Sequence, residues 1–290
     1  MDPGVADSKI REGLNNSGLF FEELVGVELL KEKRFTALKE ERAYSYIPAG
    51  YKDAISGTAD YVGFYWNQTF SGGAGTVFGI ECKKVNVAKD WLFIPMKEDG
   101  FANTNDTPNY ILQLETTNDN RVSRRSGIKK YLSPGSLTIK AFEMRDSGKV
   151  YQNNDEKIFN ACRQAIRATN GLFLNDEEVG LEVFDRVNGS INILRYVPLV
   201  VTNARISIAE IDTSHIDAVS GEMENNEGFK TKKVGWVYHV VNLLPEERSS
   251  LSMELSSGER APVTPIRAIV PIVNINHIDD FLRAYKDYSR

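Results

Sequence analysis

Thr76-Val77-Phe78-Gly79-Ile80-Glu81-Cys82-Lys83-Lys84 reads as a short apolar strand that closes on a carboxylate and an ammonium two residues apart. Side chains at i and i+2 of a strand share a face, so Glu81 and Lys83 project together while Cys82 points the other way. An acid beside a base at the mouth of a buried strand is a poor way to stabilise a fold. It is a good way to hold a hard cation beside a water. Upstream, Thr58-Ala59-Asp60-Tyr61-Val62-Gly63-Phe64-Tyr65-Trp66 is a second strand-like run with an acid near its start. Asp60 and Glu81 together point to metal-dependent phosphodiester chemistry.

The 290 residues are 41% hydrophobic and 26% charged, ordinary for a globular protein and enough for a sizeable core. No run approaches the ~18 apolar residues that a bilayer crossing requires. Met1-Asp2-Pro3-Gly4 lacks the basic flank and apolar core of a signal peptide, so a cytoplasmic location with no membrane partner is expected. Cys82 and Cys162 have no metal-ligand spacing and read as small buried apolar residues. His215, His239 and His277 are far apart in sequence, which disfavours a histidine-centred hydrolase.

A net charge of −5 argues against a surface that coats nucleic acid nonspecifically, but leaves room for a local basic groove. Arg121-Val122-Ser123-Arg124-Arg125-Ser126-Gly127-Ile128-Lys129-Lys130 carries five cations and no acid. Composition alone reads this stretch as a solvated loop. Near a cleft, Arg121, Arg124, Arg125, Lys129 and Lys130, with Lys84, suit a phosphate backbone.

Along the chain, residues 17–34 are expected to form a helix capped by Ser17, with Leu19, Phe20, Leu24, Val27 and Leu30 recurring at helical spacing. Phe35 to Ile47 is expected to give one strand, ended by Pro48-Ala49-Gly50. The strands around Asp60 and Glu81 are separated by the turn Ser71-Gly72-Gly73-Ala74-Gly75. Weak periodicity and Asn, Asp, Gly and Ser clusters make 89–154 an expected insertion. Asp155 to Thr169 reads as an amphipathic helix, and Ile191 to Ala204 as a buried strand or two joined strands that emerge at Thr202-Asn203. Val234 to Asn242 and Ala268 to Asn274 are further strands, and His277 to Tyr288 a closing helix. One elaborated α/β domain spanning 1–290 is expected, with its core in 17–88 and 155–290. The aromatics Tyr61, Phe64, Tyr65 and Trp66 suit sheet packing better than base stacking, and Asn203 suits a strand-end turn.

Gly18-Leu19-Phe20-Phe21-Glu22-Glu23-Leu24-Val25 adds a third acid on the first helix. With Asp60 and Glu81-Cys82-Lys83, the chain resembles the PD-(D/E)xK nuclease superfamily, in which a helix glutamate, a strand aspartate and an acid-x-lysine converge. Ala59 stands where the family name implies proline. Val197 to Ala204 and Ile269 to Asn274 with Phe281-Leu282 look like late core strands and a terminal helix of such proteins. The resemblance implies a restriction-endonuclease-like mixed central sheet flanked by helices, and Mg²⁺ or Mn²⁺ as cofactor. Asp60, Glu81 and the backbone carbonyl of Cys82 would hold the ion. Lys83 would stand by the attacking water or stabilise charge on phosphorus, and Glu22 would assist, with Glu23 and Glu28 competing for its role.

The expected function is a metal-dependent endonuclease acting on DNA in restriction, repair or defence. A second copy, or an accessory defence or repair protein, is the expected partner, since one site cuts one strand at a time. The alternative is an inactive nucleic-acid-binding or assembly module of the same fold. A small-molecule enzyme lacks support, because Gly72-Gly73-Ala74-Gly75 is followed by neither a phosphate-loop lysine nor a dinucleotide fingerprint.

Overall fold

The computed structural model describes residues 3–31, 35–39, 42–46, 55–69, 72–85, 89–96, 110–111, 114–117, 120–122, 137–145, 156–174, 191–245, 247 and 267–288. The helices are α1 (Pro3–Ser17), α2 (Leu19–Leu29), α3 (Glu156–Leu174) and α4 (Ile278–Tyr288). The strands of the first half are β1 (Phe35–Lys39), β2 (Arg42–Tyr46), β3 (Ile55–Ala59), β4 (Tyr61–Thr69), β5 (Gly72–Lys83) and β6 (Lys89–Pro95). Three short strands follow, β7 (Tyr110–Ile111), β8 (Leu114–Thr117) and β9 (Asn120–Val122), and then β10 (Leu137–Arg145). The last five are β11 (Ile191–Thr202), β12 (Arg205–Ile211), β13 (Phe229–Val234), β14 (Trp236–Asn242) and β15 (Arg267–Asn274).

Thirteen of these strands form one mixed sheet whose main path runs β1-β4-β5-β11-β15-β14-β10-β6-β12-β13; β2 and β3 make a separate hairpin. Among the described residues the fold is thus mixed α/β, a large sheet accompanied by four α-helices. Its centre is parallel: β11 runs alongside β5 from Ile191↔Gly73 to Thr202↔Lys83 and meets β15 from Val200↔Ile272 to Thr202↔Asn274. Parallel strands are covered on both faces, which is why Val197-Pro198-Leu199-Val200-Val201 reads as an unbroken apolar run. Tyr196 and Val200 enter the core with α3, while Val197, Leu199 and Val201 pack on the opposite side with α2 and α4.

Helix α3 lies close against the sheet because glycine lets it. A Cβ on Gly79 would stand 2.6 Å from Thr169 Oγ1, and one on Gly57 would stand 2.7 Å from the Ala168 backbone nitrogen. On the other face, Gly26 of α2 sits over Tyr61, where a Cβ would be 2.9 Å from the phenol oxygen.

Several expected elements differ in extent or orientation. The chain breaks into two helices at Gly18, whose φ of 93° favours glycine, so α2 begins at Leu19 and α1 precedes it. Helix α2 carries apolar residues on more than one side: it buries Phe21, Val25 and Leu29, while Leu19, Phe20, Leu24 and Val27, with Leu30 just past its end, stay exposed. Spacing could not choose between two apolar stripes; the seat of Gly26 on Tyr61 does. The expected single strand after residue 35 is two, β1 and β2, which join different sheets. Within the stretch expected as an insertion, β6 and β10 pair with each other inside the main sheet and bury Trp91, Phe93 and Ala141.

The close approach of α3 to β5 makes a stability prediction. Gly79→Ala forces its new methyl against Thr169 and should cost about 1–3 kcal/mol in urea denaturation. In a Thr169→Ala background, which removes the nearer contact, the added cost should be smaller; equal costs in both backgrounds would contradict the packing.

Candidate functional site

The site is built where β5, still paired with β11 on one edge, loses β4 on the other. Asp60 is the bend between β3 and β4, and its backbone N–H still donates to the Ile80 carbonyl at 2.9 Å. Antiparallel pairing stops at Tyr61↔Ile80 because the chain turns away into the β2–β3 hairpin. The Cys82 amide on that edge then finds the Asp60 carboxylate instead, donating to Oδ2 at 2.6 Å. A side chain replaces a missing strand partner, and this fixes Asp60 at the end of β5.

Glu81 is 5% exposed. Gly79, two residues back on its face of the strand, abuts α3, whereas Cys82 enters the opposite cluster with Phe21, Val25, Tyr61 and Ile80. Burial pushes the Glu81 carboxyl up from 4.5 to about 8; the charge of Asp60 pushes the same way, Lys83 opposes it, and Glu22 adds a smaller push upward. Four side chains from α2, the β3–β4 bend and β5 therefore share one electrostatic neighbourhood. The Cys82 thiol is pushed well up by burial and by the charges of Asp60, Glu81 and Glu22. Burial, with a contribution from Glu81, likewise raises Cys162 on α3. Both cysteines are buried and free, as their sequence setting suggests.

Of the three helix acids, Glu22 is the one whose charge reaches Glu81. It lies one turn before Gly26, on the face that the Gly26–Tyr61 contact turns toward the sheet. Glu23 is exposed, and Glu28 pairs with Lys31 at 2.6 Å.

Beyond Lys83 the backbone is pinned to β11. Thr202 Oγ1 donates to the Lys83 carbonyl at 2.8 Å. The Asn203 side chain accepts from Val85 N–H at 2.7 Å and donates to the Val85 carbonyl at 2.9 Å. Asn274, at the end of β15, donates to the Ala204 carbonyl at 2.7 Å. Side chains thus stitch together the C-terminal ends of three parallel strands, the edge where open α/β sheets place their ligands. Asn203 is a strand-end clamp. From sequence Thr202 marks only the point where the strand emerges and Asn274 only the end of a strand, the signal in each case being a polar residue at the end of an apolar run.

Lys84 is exposed and donates from Nζ to the Asn15 carbonyl of α1. Arg121 belongs to β9 by its backbone. Its side chain, together with Arg124, Arg125, Lys129 and Lys130, lies outside the described residues. Tyr61 and Phe64 are buried in the core; the side chains of Tyr65 and Trp66 lie outside the described residues.

Among the described residues, no three His, Cys, Asp or Glu side chains form a group that could hold a metal ion by themselves. None of the helices described is long and apolar enough to cross a membrane. No protein-family model, curated protein or solved structure matches the chain.

The raised Glu81 carboxyl makes folding depend on pH. Below pH 4.5 it is protonated in both folded and unfolded chains and exerts no effect. Between 4.5 and about 8 the unfolded chain ionises while the folded one holds its proton, so stability falls by about 1.4 kcal/mol per pH unit. Glu81→Gln removes that loss. The stability difference between variant and wild type should therefore move in favour of the variant from about pH 5 to about pH 8; a constant difference in thermal or urea unfolding would contradict the assignment.

Proposed function

We propose that the chain is a metal-dependent phosphodiesterase of the PD-(D/E)xK kind, an endonuclease whose substrate is DNA. The observation that carries this reading is the Glu81 carboxyl, buried beside Asp60 and Glu22 with Lys83 on the same strand. Clustered carboxylates in a buried place cost stability, and a bound cation relieves that cost. The donor set fits a small hard ion: two carboxylates, from Asp60 and Glu81, with the Cys82 carbonyl, leave room for the waters that Mg²⁺ retains. Such an ion, when bound, supplies Lewis-acid stabilisation of charge on a phosphate oxygen.

The residues of the chain divide the remaining work. Asp60 carries a negative charge in a position fixed by the Cys82 amide. Lys83 places a positive charge where charge develops on phosphorus, and the Thr202 and Asn203 contacts hold the backbone on which it sits. Glu22, brought from the other layer by α2, orients or accepts a proton from water at the rim. The inactive binding module remains the second reading, favoured by the lack of three metal-capable side chains in one group among the described residues.

The test is incubation of the full chain with plasmid, linear and single-stranded DNA in Mg²⁺ or Mn²⁺, with EDTA controls. Cleavage should require the ion. Asp60→Asn keeps an oxygen able to accept the Cys82 amide but removes the charge, and Lys83→Ala removes the ammonium. Each should lower cleavage by about a hundredfold or more with folding retained. DNA binding without cleavage in either ion, matched by both variants, would favour the module; loss of folding in both would make these residues structural.

A further inference from the structure

Away from Glu81, the main sheet opens between β10 and β14. The two strands pair only at Leu137↔Tyr238 and Thr138↔His239, although β10 continues to Arg145 and β14 to Asn242. The cause is local. On the far side of β10 the register passes from Thr138↔Pro95 to Lys140↔Ile94, so Ile139 is an extra residue, a bulge that bends the strand away from β14. A cleft of about 390 Å³ follows, lined by residues 139–142, residues 240–242, His239 and Phe159 of α3. Each strand is paired along its outer edge, β10 with β6 and β14 with β15. Among the described residues, their facing edges have no strand partner over these stretches.

Two side chains give the cleft a chemical character. His239 is 7% exposed, and its Nδ1 lies 3.0 Å from Thr138 Oγ1, whose hydroxyl also reaches the Tyr238 carbonyl at 3.4 Å. With the hydroxyl proton given to that carbonyl, Nδ1–H donates to Oγ1. Nε2 of this cleft-lining ring is then an acceptor, with no partner among the described residues. Lys140 is exposed, and among the described residues it makes no ion pair. Apolar side chains, Ile139, Phe142, Phe159 and Val240, line the cleft together with polar atoms of the lining residues.

We propose that this cleft binds a short extended peptide carrying a carboxylate, which adds as a strand between β10 and β14. Unpaired main-chain edges on two sides match the alternating donors and acceptors of a peptide backbone. The stretch 139–142 sets a reach of roughly four residues, since a strand advances about 3.3 Å per residue. Apolar side chains meet Phe142, Phe159 and Val240, a peptide N–H donates to His239 Nε2, and the carboxylate pairs with Lys140. The proposal is independent of the Glu81 site.

The experiment uses the full chain, isotopically labelled, and a pool of N-acetylated tetrapeptides that alternate Val, Leu or Phe with one Glu. Binding should move the amide resonances of 139–142 and 240–242 and slow their hydrogen exchange. N-methylating the peptide amides should weaken binding by about tenfold or more, the loss of one or two main-chain hydrogen bonds. Lys140→Glu, an exposed substitution, should weaken the Glu pool and leave a Gln pool unchanged. No shift with the whole pool at millimolar concentration would overturn the proposal. So would equal binding of the N-methylated pool, or the same shifts from hexanoate, which would make the cleft a pocket for small apolar acids.

Discussion

A carboxyl group buried at the end of a strand is the constraint around which this fold is arranged. Glu81 has α3 on its own face and α2 with the Cys82 layer on the other, and it keeps its proton up to a pH of about 8. Burial of an ionisable group beside two like charges opposes folding. Its surroundings are correspondingly tight: Gly79 admits α3, Gly26 admits α2, and Asp60 completes the hydrogen bonding of the strand edge. Replacing any of these by a bulkier or apolar residue disturbs the place where Glu81 sits before it disturbs the rest of the sheet.

The strand with its acid and base was legible because alternation is a local property. Ile80 and Cys82 fall on one side and Glu81 on the other, as a period of two requires. Asp60 was legible as an acid near a strand, but its bond to the Cys82 amide depends on where β4 stops pairing, a fact of tertiary structure. Helix α2 shows the limit of periodicity: Phe21, Val25 and Leu29 make one apolar stripe, and Phe20, Leu24 and Val27 make another. The single mid-helix glycine, Gly26, was the available clue to the buried side. In 89–154, the pairing of β6 with β10 joins segments far apart in sequence across a bulge, so no short window contains both.

The same long-range logic places the two regions of chemical interest. At the Glu81 end, Thr202, Asn203 and Asn274 close the edges of parallel strands with side-chain hydrogen bonds, giving a rigid rim. At β10 and β14 the opposite occurs, and a bulge leaves edges apart over a cleft. Rigid positioning suits chemistry, whereas open edges suit recognition of another backbone.

An NMR pH titration of the Glu81 side-chain carboxyl, with and without Mg²⁺, tests most directly whether a buried carboxyl here holds a metal ion. The expected midpoint is about 8 in the absence of divalent ions, with a fall of at least about one unit when Mg²⁺ is added, because a bound cation favours the carboxylate. A midpoint near 4.5, or one near 8 that Mg²⁺ leaves unmoved, would contradict this expectation.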